Sequence, residues 1–365
     1  MPETRRISLD PGFGSFKAAA ISDGRPAVAV VTSVVGVGQT DLGLLSLGRV
    51  GRHRPREKPY TVTFDGVDYL VGPGVAQYAQ PVERMDMRRL ADGPELRAIL
   101  YATLHQLLGP GEVQVALLSG LPVEVLADRK VALQTLRGLR SWLIGSHVFA
   151  VDGQETAITI TAVEAMGQPV GSYFAWGLNN AGHWARANGD LRVPVGICDI
   201  GFNTVDLLSV QGGQILGRFT GGDTLGVRRA AELLIQGVQG QHGRKLSLHE
   251  ADALLRQRKP HLYTPDGEVD IAALVQQSLV AATDAIISLV DRRWDNGCQF
   301  GHLFFTGGGS ELLRQALLQQ YPKGVVLPDP VTANAVGLAR YAQRSGVFPA
   351  QLSESTGNHR KIPAL

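Results

Sequence analysis

Apolar and polar positions along the chain fall into short runs with two different periods. Residues 5–10, 16–21 and 27–32 are apolar runs of strand length, broken at Pro11–Ser15 and Asp23–Pro26, and they predict a three-strand meander. Tyr60–Phe64 and Val67–Val71 flank Asp65-Gly66, a dipeptide suited to a two-residue hairpin turn. Gly93–Leu108 reads as a helix stopped by Gly109-Pro110-Gly111. Val113–Leu118 reads as a buried strand running into Gly120-Leu121-Pro122, and Asp128–Leu139 as a helix. Residues 146–151 and 156–163 form another strand pair, and Gly171–Asn188 a helix joining the two halves of the chain.

The second half opens on Val195–Val210, VGICDIGFNTVDLLSV, which predicts a strand, a tight turn and a returning strand. Leu225–Val238 has the spacing of an amphipathic helix, and Ser247-Leu248-His249-Glu250 is a capping box for the next one. Ile271–Trp294 carries Leu274, Val275, Leu279, Ile286 and Val290 at the spacing of a long helix with one buried face. Pro265-Asp266-Gly267 before it is a turn. The strand His302–Thr306 runs into three glycines and a helix from Glu311, with Ser310 as its N-cap. Thr332 caps a final helix, and from Ser345 the chain is a polar tail expected to be disordered. Strands alternating with helices predict an α/β fold.

The stretch Ile7–Ile21, ISLDPGFGSFKAAAI, repeats the hairpin of the second half. Asp10 falls on Asp199, Gly12 on Gly201, Phe13 on Phe202 and Ser15 on Thr204, an offset of 189 residues (10 to 199). Such turns are common singly. Two of them half a chain apart point to a duplicated domain, each half presenting a hairpin to a shared cleft. Successive N–H groups in each turn can make a nest for an anion such as phosphate, and the paired acids suit a metal ion.

These residues resemble the motifs of the actin, Hsp70 and sugar-kinase ATPase superfamily. The hairpin at Asp10 is similar to its phosphate-1 motif, that at Asp199 to phosphate-2, and Phe304–Ser310 (FFTGGGS) to its adenosine motif. Within the superfamily the resemblance narrows to bacterial and archaeal actin-like proteins typified by ParM. Three stretches carry it: VDYLVG at 67–72, LSGLP at 118–122 and ANAVGL at 333–338. It extends to about residue 345. It implies an α/β fold of two duplicated actin-like (RNase H-like) domains around a nucleotide cleft. Domain I would span 1–165, with a small outer subdomain at about 33–80, and be completed by a helix at about 332–345. Domain II would span 166–331.

The same resemblance implies ATP and Mg²⁺ as ligands, with Asp10 and Asp199 holding the metal through its waters. Gly12, Phe13, Gly14 and Ser15 on one side, and Gly201, Asn203 and Thr204 on the other, would clamp the β- and γ-phosphates. Lys17 is either a phosphate contact or a solvated strand-end lysine. Glu164, delivered by the strand before Ala165-Met166-Gly167, would orient the attacking water, with Gln168 as the nearest alternative. Gly221 and Gly222 would let backbone approach the nucleotide, or simply turn the chain into a helix. Gly307, Gly308 and Gly309 lie between a strand and a helix, a physically sound nucleotide cradle. Arg256, Arg258 and Lys259 either reach the base or ribose or complement a helix C-terminus. Asp206 supports the second loop and is assigned no chemistry.

Composition narrows the partners. The 35 basic and 33 acidic residues nearly cancel to +2, which demands neither nucleic acid nor an acidic membrane. Arg49, Arg52, Arg54, Arg56 and Lys58 cluster after Gly36, but no aromatics are interleaved with them to stack on bases, and a solvated loop is the simpler reading. In the actin family this loop reaches the next subunit. No apolar run reaches the length of a spanning helix, and MPETRR lacks the apolar core of a signal peptide. Cys198 and Cys298 suit a reducing cytoplasm and are expected to be inert core residues.

The expectation is therefore a cytoplasmic actin-like ATPase that polymerises with itself, with a DNA-adaptor protein as a further partner and plasmid segregation as the role of its relatives. A scaffold that binds nucleotide without turnover and a small-molecule kinase of the same superfamily are the alternatives. An Hsp70-like chaperone is disfavoured, because the chain after residue 345 is too short for a peptide-binding domain.

Overall fold

The computed structural model describes residues 4–38, 58–82, 93–257, 259–264 and 267–348. Among the described residues nine strands build a first sheet: β1 (Arg5–Pro11), β2 (Ser15–Ser22), β3 (Arg25–Thr32), β4 (Val35–Val37), β5 (Tyr60–Phe64), β6 (Val67–Val71), β7 (Gly111–Leu121), β8 (Gly145–Val151) and β9 (Gln154–Gly167). Their order is β3-β2-β1-β7-β9-β8-β5-β6-β4. The second half supplies β10 (Val195–Ile200), β11 (Val205–Gln211), β12 (Gln214–Ile215) and β13 (Gly221–Asp223). A separate hairpin of β14 (His261–Thr264) and β15 (Gly267–Asp270) follows, then β16 (His302–Thr306) and β17 (Gly324–Val326). The second sheet runs β12-β11-β10-β16-β17, with β13 beside β11.

The repeat read in the sequence is a repeat of topology. β1 pairs antiparallel with β2 and parallel with β7, and β10 pairs antiparallel with β11 and parallel with β16. The register sets Asp10 opposite Lys17 and Asp199 opposite Asp206. Asp10 and Asp199 thus stand at the carboxyl ends of parallel strands, where open α/β sheets bind ligands. The Asp65-Gly66 turn adopts the left-handed conformation its dipeptide favours, with φ of 50° and 74°.

The two largest apolar clusters among the described residues follow from this plan. Ile7, Leu117, Ile158 and Ile160 of the first sheet pack with Ile99 and Leu139 of the covering helices. Cys198, Leu207 and Phe305 of the second sheet pack with Leu234, Ile286, Val290 and Trp294. The helix Ala272–Trp294 is long and apolar enough to cross a membrane by length and composition, yet its apolar stripe forms part of this second core.

The helices Gln168–Gly177 and Ala333–Ala342 cross between the two sheets. Gly171 and Gly337 lie at the crossing, and a methyl group on Gly337 would run into the carbonyl oxygen of Gly171. Ala335 and Ala339 of the second helix pack on Ala19, and Leu338 on Leu118, so this helix completes the first sheet's packing. Gly337→Ala is therefore expected to lower the melting temperature by several degrees, since overpacking costs about 1–3 kcal/mol or more where backbone cannot yield. Gly189→Ala, where a methyl meets no atom of the described residues within 4 Å, should leave it nearly unchanged. Differential scanning calorimetry of the two variants checks the contrast.

Several expectations are corrected. The joining helix starts at Gln168, with Pro169 in its first turn, and ends at Gly177; Leu178 then pairs with Trp184 in a bridge. The helix after β16 begins at Gly307, and the Ser310 hydroxyl donates to Gly307 O (2.7 Å) rather than capping a later helix. Thr332 makes no side-chain cap. Cys298 is exposed, not buried. Most of the basic run after Gly36, Arg258, the Pro265-Asp266 turn and the tail beyond 348 lie outside the described residues.

Candidate functional site

The carboxyl ends of β1 and β10 open into one cleft of about 300 Å³ between the sheets. Asp10, Gly12, Phe13, Gly14, Ser15 and Lys17 line one wall. Asp199, Gly201, Phe202, Asn203, Thr204 and Asp206 line the other, and Gly307, Gly308, Gly309 and Arg256 close the far side.

Local chemistry explains why these positions are small. A methyl group on Gly12 would lie 2.8 Å from the carbonyl oxygen of Ser15 and 3.0 Å from Lys17 Nζ. One on Gly201 would lie 3.2 Å from the carbonyl oxygen of Thr204. Gly307 has φ +84° and abuts the Asp199 carboxylate, so only glycine fits there without strain. The second turn is pinned to the helix Arg228–His242: Arg228 N–H donates to Phe202 O (2.7 Å), and Gly226 N–H to Asn203 O (3.1 Å). The two turns approach each other, since a methyl on Gly14 would touch Phe202 Cβ at 3.4 Å.

Three buried acids set the electrostatics. Asp10 pairs with Lys17 Nζ (3.2 Å) and accepts from Gln168 Nε2 (2.9 Å). Asp199 accepts from Asn334 Nδ2 (2.6 Å). Burial and the nearby Asp10 carboxylate push Asp199 up to about 6, against the pull of Asn334 and Lys17. Asp206 accepts from the Val123 N–H and the Thr204 hydroxyl, each at 3.2 Å, yet burial and then Asp199 push it up to about 7. An anionic pocket under this strain suits a cation. Among the described residues, no three of His, Cys, Asp and Glu converge to enclose a metal, so a cation here needs water and phosphate oxygens for most of its shell.

The structure separates the expected site residues. Both phosphate-loop sets, Lys17 and the three glycines after β16 meet in the cleft. Glu164 does not. It sits within β9 opposite Leu118, and its carboxylate pairs with Arg140 Nη2 (2.6 Å) of the helix Arg129–Leu143. β9 runs on to Gly167, so the chain reaches the cleft at Gln168, whose Nε2 donates to Asp10 Oδ1 and to Pro11 O (3.0 Å). Gly221 and Gly222 also miss the cleft lining: Gly221 packs on the Arg293 guanidinium, and Gly222 on the Asp206 carboxylate behind the wall. Arg256 lines the cleft, held by both Asp252 oxygens (3.1 Å each) and reaching Gly308 O (3.3 Å), whereas Lys259 is exposed and lines none of it.

Asn334 is the site residue that sequence reasoning missed. Its Oδ1 accepts from Ser172 (2.6 Å) while its Nδ2 serves Asp199, so it ties both crossing helices to the second hairpin. A polar residue among alanines on a buried helix face was the available signal, because such a group needs a partner.

Residues 8–171 match the family model described as the N-terminal domain of actin-like proteins, and residues 197–319 match that of the archaeal actin homologue MreB-like C-terminal domain. Comparison with curated protein sequences finds no match. The fold is similar to that of Ta0583, an archaeal actin homologue, with TM-score 0.71 and 19% identity over 94% of this chain and 100% of that one. It is similar to a subunit of a 15-stranded ParM filament from Clostridium botulinum, with TM-score 0.72 and 16% identity over 94% and 99%. It is also similar to Bacillus thuringiensis ParM with ATP, with TM-score 0.60 and 13% identity over 93% and 97%.

Proposed function

Because the chain belongs to the actin-like proteins, we propose that it binds Mg-ATP between its two halves, hydrolyses it slowly and polymerises in response. One observation carries this reading: two equivalent hairpins bring Asp10 and Asp199 to a single cleft, facing three glycines that leave room for a nucleotide. The relatives supply the ligand class, since Ta0583 is known in complex with ADP and the Bacillus thuringiensis protein with ATP.

Asp10 and Asp199 would hold Mg²⁺ through its waters, and the metal when bound supplies charge neutralisation for the phosphates. The turns Gly12–Ser15 and Gly201–Thr204 offer backbone N–H groups to phosphate oxygens from opposite walls. Lys17 adds a cation already oriented by Asp10. Gln168 takes the water-orienting role expected of Glu164. Its Nε2 donates to Asp10 and to Pro11 O, so its Oε1 would be the acceptor for the attacking water. An amide cannot take the proton, so this role is positioning.

The filament formed by the structurally similar Clostridium botulinum ParM supports self-association as part of this reading. A heterologous contact that does not close into a ring continues as a filament. A nucleotide gripped from both sides sets the angle between the lobes, and a ligand shifts assembly only through differential affinity for the two arrangements. A DNA adaptor and plasmid or other intracellular cargo are the partners this reading carries.

Calorimetry with ATP and ADP, with and without Mg²⁺, followed by light scattering and electron microscopy, tests the proposal. Mg-dependent ATP binding, a scattering lag and plateau with ATP, and fibres that ADP allows to disassemble are expected. A monomer at tens of micromolar that phosphorylates a small metabolite instead would replace this reading with the kinase one. Fibres that form with ATP and release no phosphate would identify the nucleotide-locked scaffold.

A further inference from the structure

We propose that the Asp206 carboxylate and the Val123 N–H form a latch that fastens the two halves across the cleft, and that its opening sets the rate at which nucleotide leaves. The second clause rests on the nucleotide-binding reading; the first does not.

The repeat shows why a latch arises at this place. Positions 17 and 206 are equivalent, each lying opposite the acid one residue before the end of its hairpin's first strand. In the first copy the residue is Lys17, which neutralises Asp10 within the same half. In the second copy it is another acid, which can do nothing for Asp199. Asp206 instead reaches into the other half, accepting from the N–H of Val123, the first residue of the short helix Val123–Ala127 after β7 (3.2 Å).

Its surroundings hold it in that direction. The Thr204 hydroxyl donates to the second oxygen, Oδ2 (3.2 Å), and Gly222 packs so closely that a methyl there would lie 2.7 Å from Oδ1. The carboxylate is buried, at 2% exposure, and the segment after Val123 packs against β13, the strand that carries Gly222. The other cross-half bond of this hairpin, Asn334 to Asp199, sits on the helix crossing, where Gly171 touches Asn334. A rotation about that crossing leaves it made. The Val123 bond instead joins the end of β7 directly to the second hairpin, so the latch places the strain of such a rotation there.

A backbone donor can be removed cleanly here. Val123 is the first residue of its short helix, where proline is tolerated, and Pro122 has φ −56° and ψ 146°, the extended conformation that a following proline requires. Val123→Pro deletes the N–H and keeps the backbone course, while Val123→Ala keeps the N–H and controls for the side chain.

Spin labels on the exposed Cys298 of the second half and on a cysteine replacing exposed Val148 of the first report the separation of the halves without nucleotide. Val123→Pro should shift the distance distribution to longer values, and Val123→Ala should not. With a fluorescent ATP analogue, Val123→Pro should release nucleotide roughly tenfold faster or more, the scale of one hydrogen bond to a charged group. Asp206→Ala should act similarly, and the double variant should be no faster than the faster single one, because both remove the same bond. Equal distance distributions for Val123→Pro and Val123→Ala, or multiplying effects in the double variant, overturn the latch. A distance shift in a protein that binds no nucleotide supports the latch and rejects the nucleotide reading.

Discussion

Gln168→Ala is expected to bind Mg-ATP within a few-fold of the parent protein and to lose phosphate release by roughly 10²–10⁴-fold, the range that a group positioning a reacting partner supplies. The binding half of this expectation follows from what Gln168 touches. It bonds Asp10 and Pro11 O, and Asp10 keeps Lys17 when the amide is removed. The catalytic half follows from its place at the cleft end of the joining helix, where its Oε1 has no hydrogen-bond partner among the described residues. Glu164→Ala is the matched control. Its carboxylate pairs with a half-exposed Arg140, an interaction worth about 1 kcal/mol or less, so turnover should stay within a few-fold. Single-turnover phosphate release measures both. Loss of turnover in Glu164→Ala with normal rates in Gln168→Ala would return the role to β9.

The two variants also mark the boundary of what the sequence carries. Asp10, Asp199 and their turns were legible because a repeat advertises itself: the same spacing of acid, glycine and hydroxyl occurs twice. The glycines after β16 were legible for a similar reason, since three in a row at a strand end have few other uses. Gln168 was visible only as a neighbour of the expected residue. Alternation along Thr156–Val163 gives no sign of where β9 stops, and its pairing with β7 as far as Leu121 carries it on to Gly167. That extension turns Glu164 toward Arg140. Pro169 did hold a local clue, because proline favours the first turn of a helix, and it fixes the true start of the joining helix. Asn334 showed only as a polar residue on a buried helix face; that it serves Asp199, and that the Val123 N–H meets Asp206, are contacts between distant segments, which no local pattern encodes.

Asp199→Asn should raise the stability of the nucleotide-free protein at pH 8 while abolishing Mg-dependent nucleotide binding. In the folded chain, burial and Asp10 hold Asp199 at about 6 against an ordinary value of 3.8, and Asp206 stands at about 7. The folded state therefore binds more protons than the unfolded chain between about pH 4 and 7. Stability from these groups is fully present below pH 4 and is lost as pH rises through 6 and 7. For Asp199 the loss is on the order of 3 kcal/mol, from roughly two pH units at 1.36 kcal/mol each. Asparagine carries no charge to desolvate, and its side-chain oxygen can still accept from Asn334. The variant should accordingly melt several degrees above the parent at pH 8, with the gap closing toward pH 5. Mg-ATP reverses the ranking, because a bound cation offsets the repulsion among the acids and stabilises only a protein that retains Asp199. Scanning calorimetry at pH 5 and pH 8, with and without Mg-ATP, reads all four cases. A variant that melts below the parent at pH 8 without ligand would mean that the ionised Asp199 is already well solvated or paired, and the cleft would then lack the electrostatic strain that draws a metal into it.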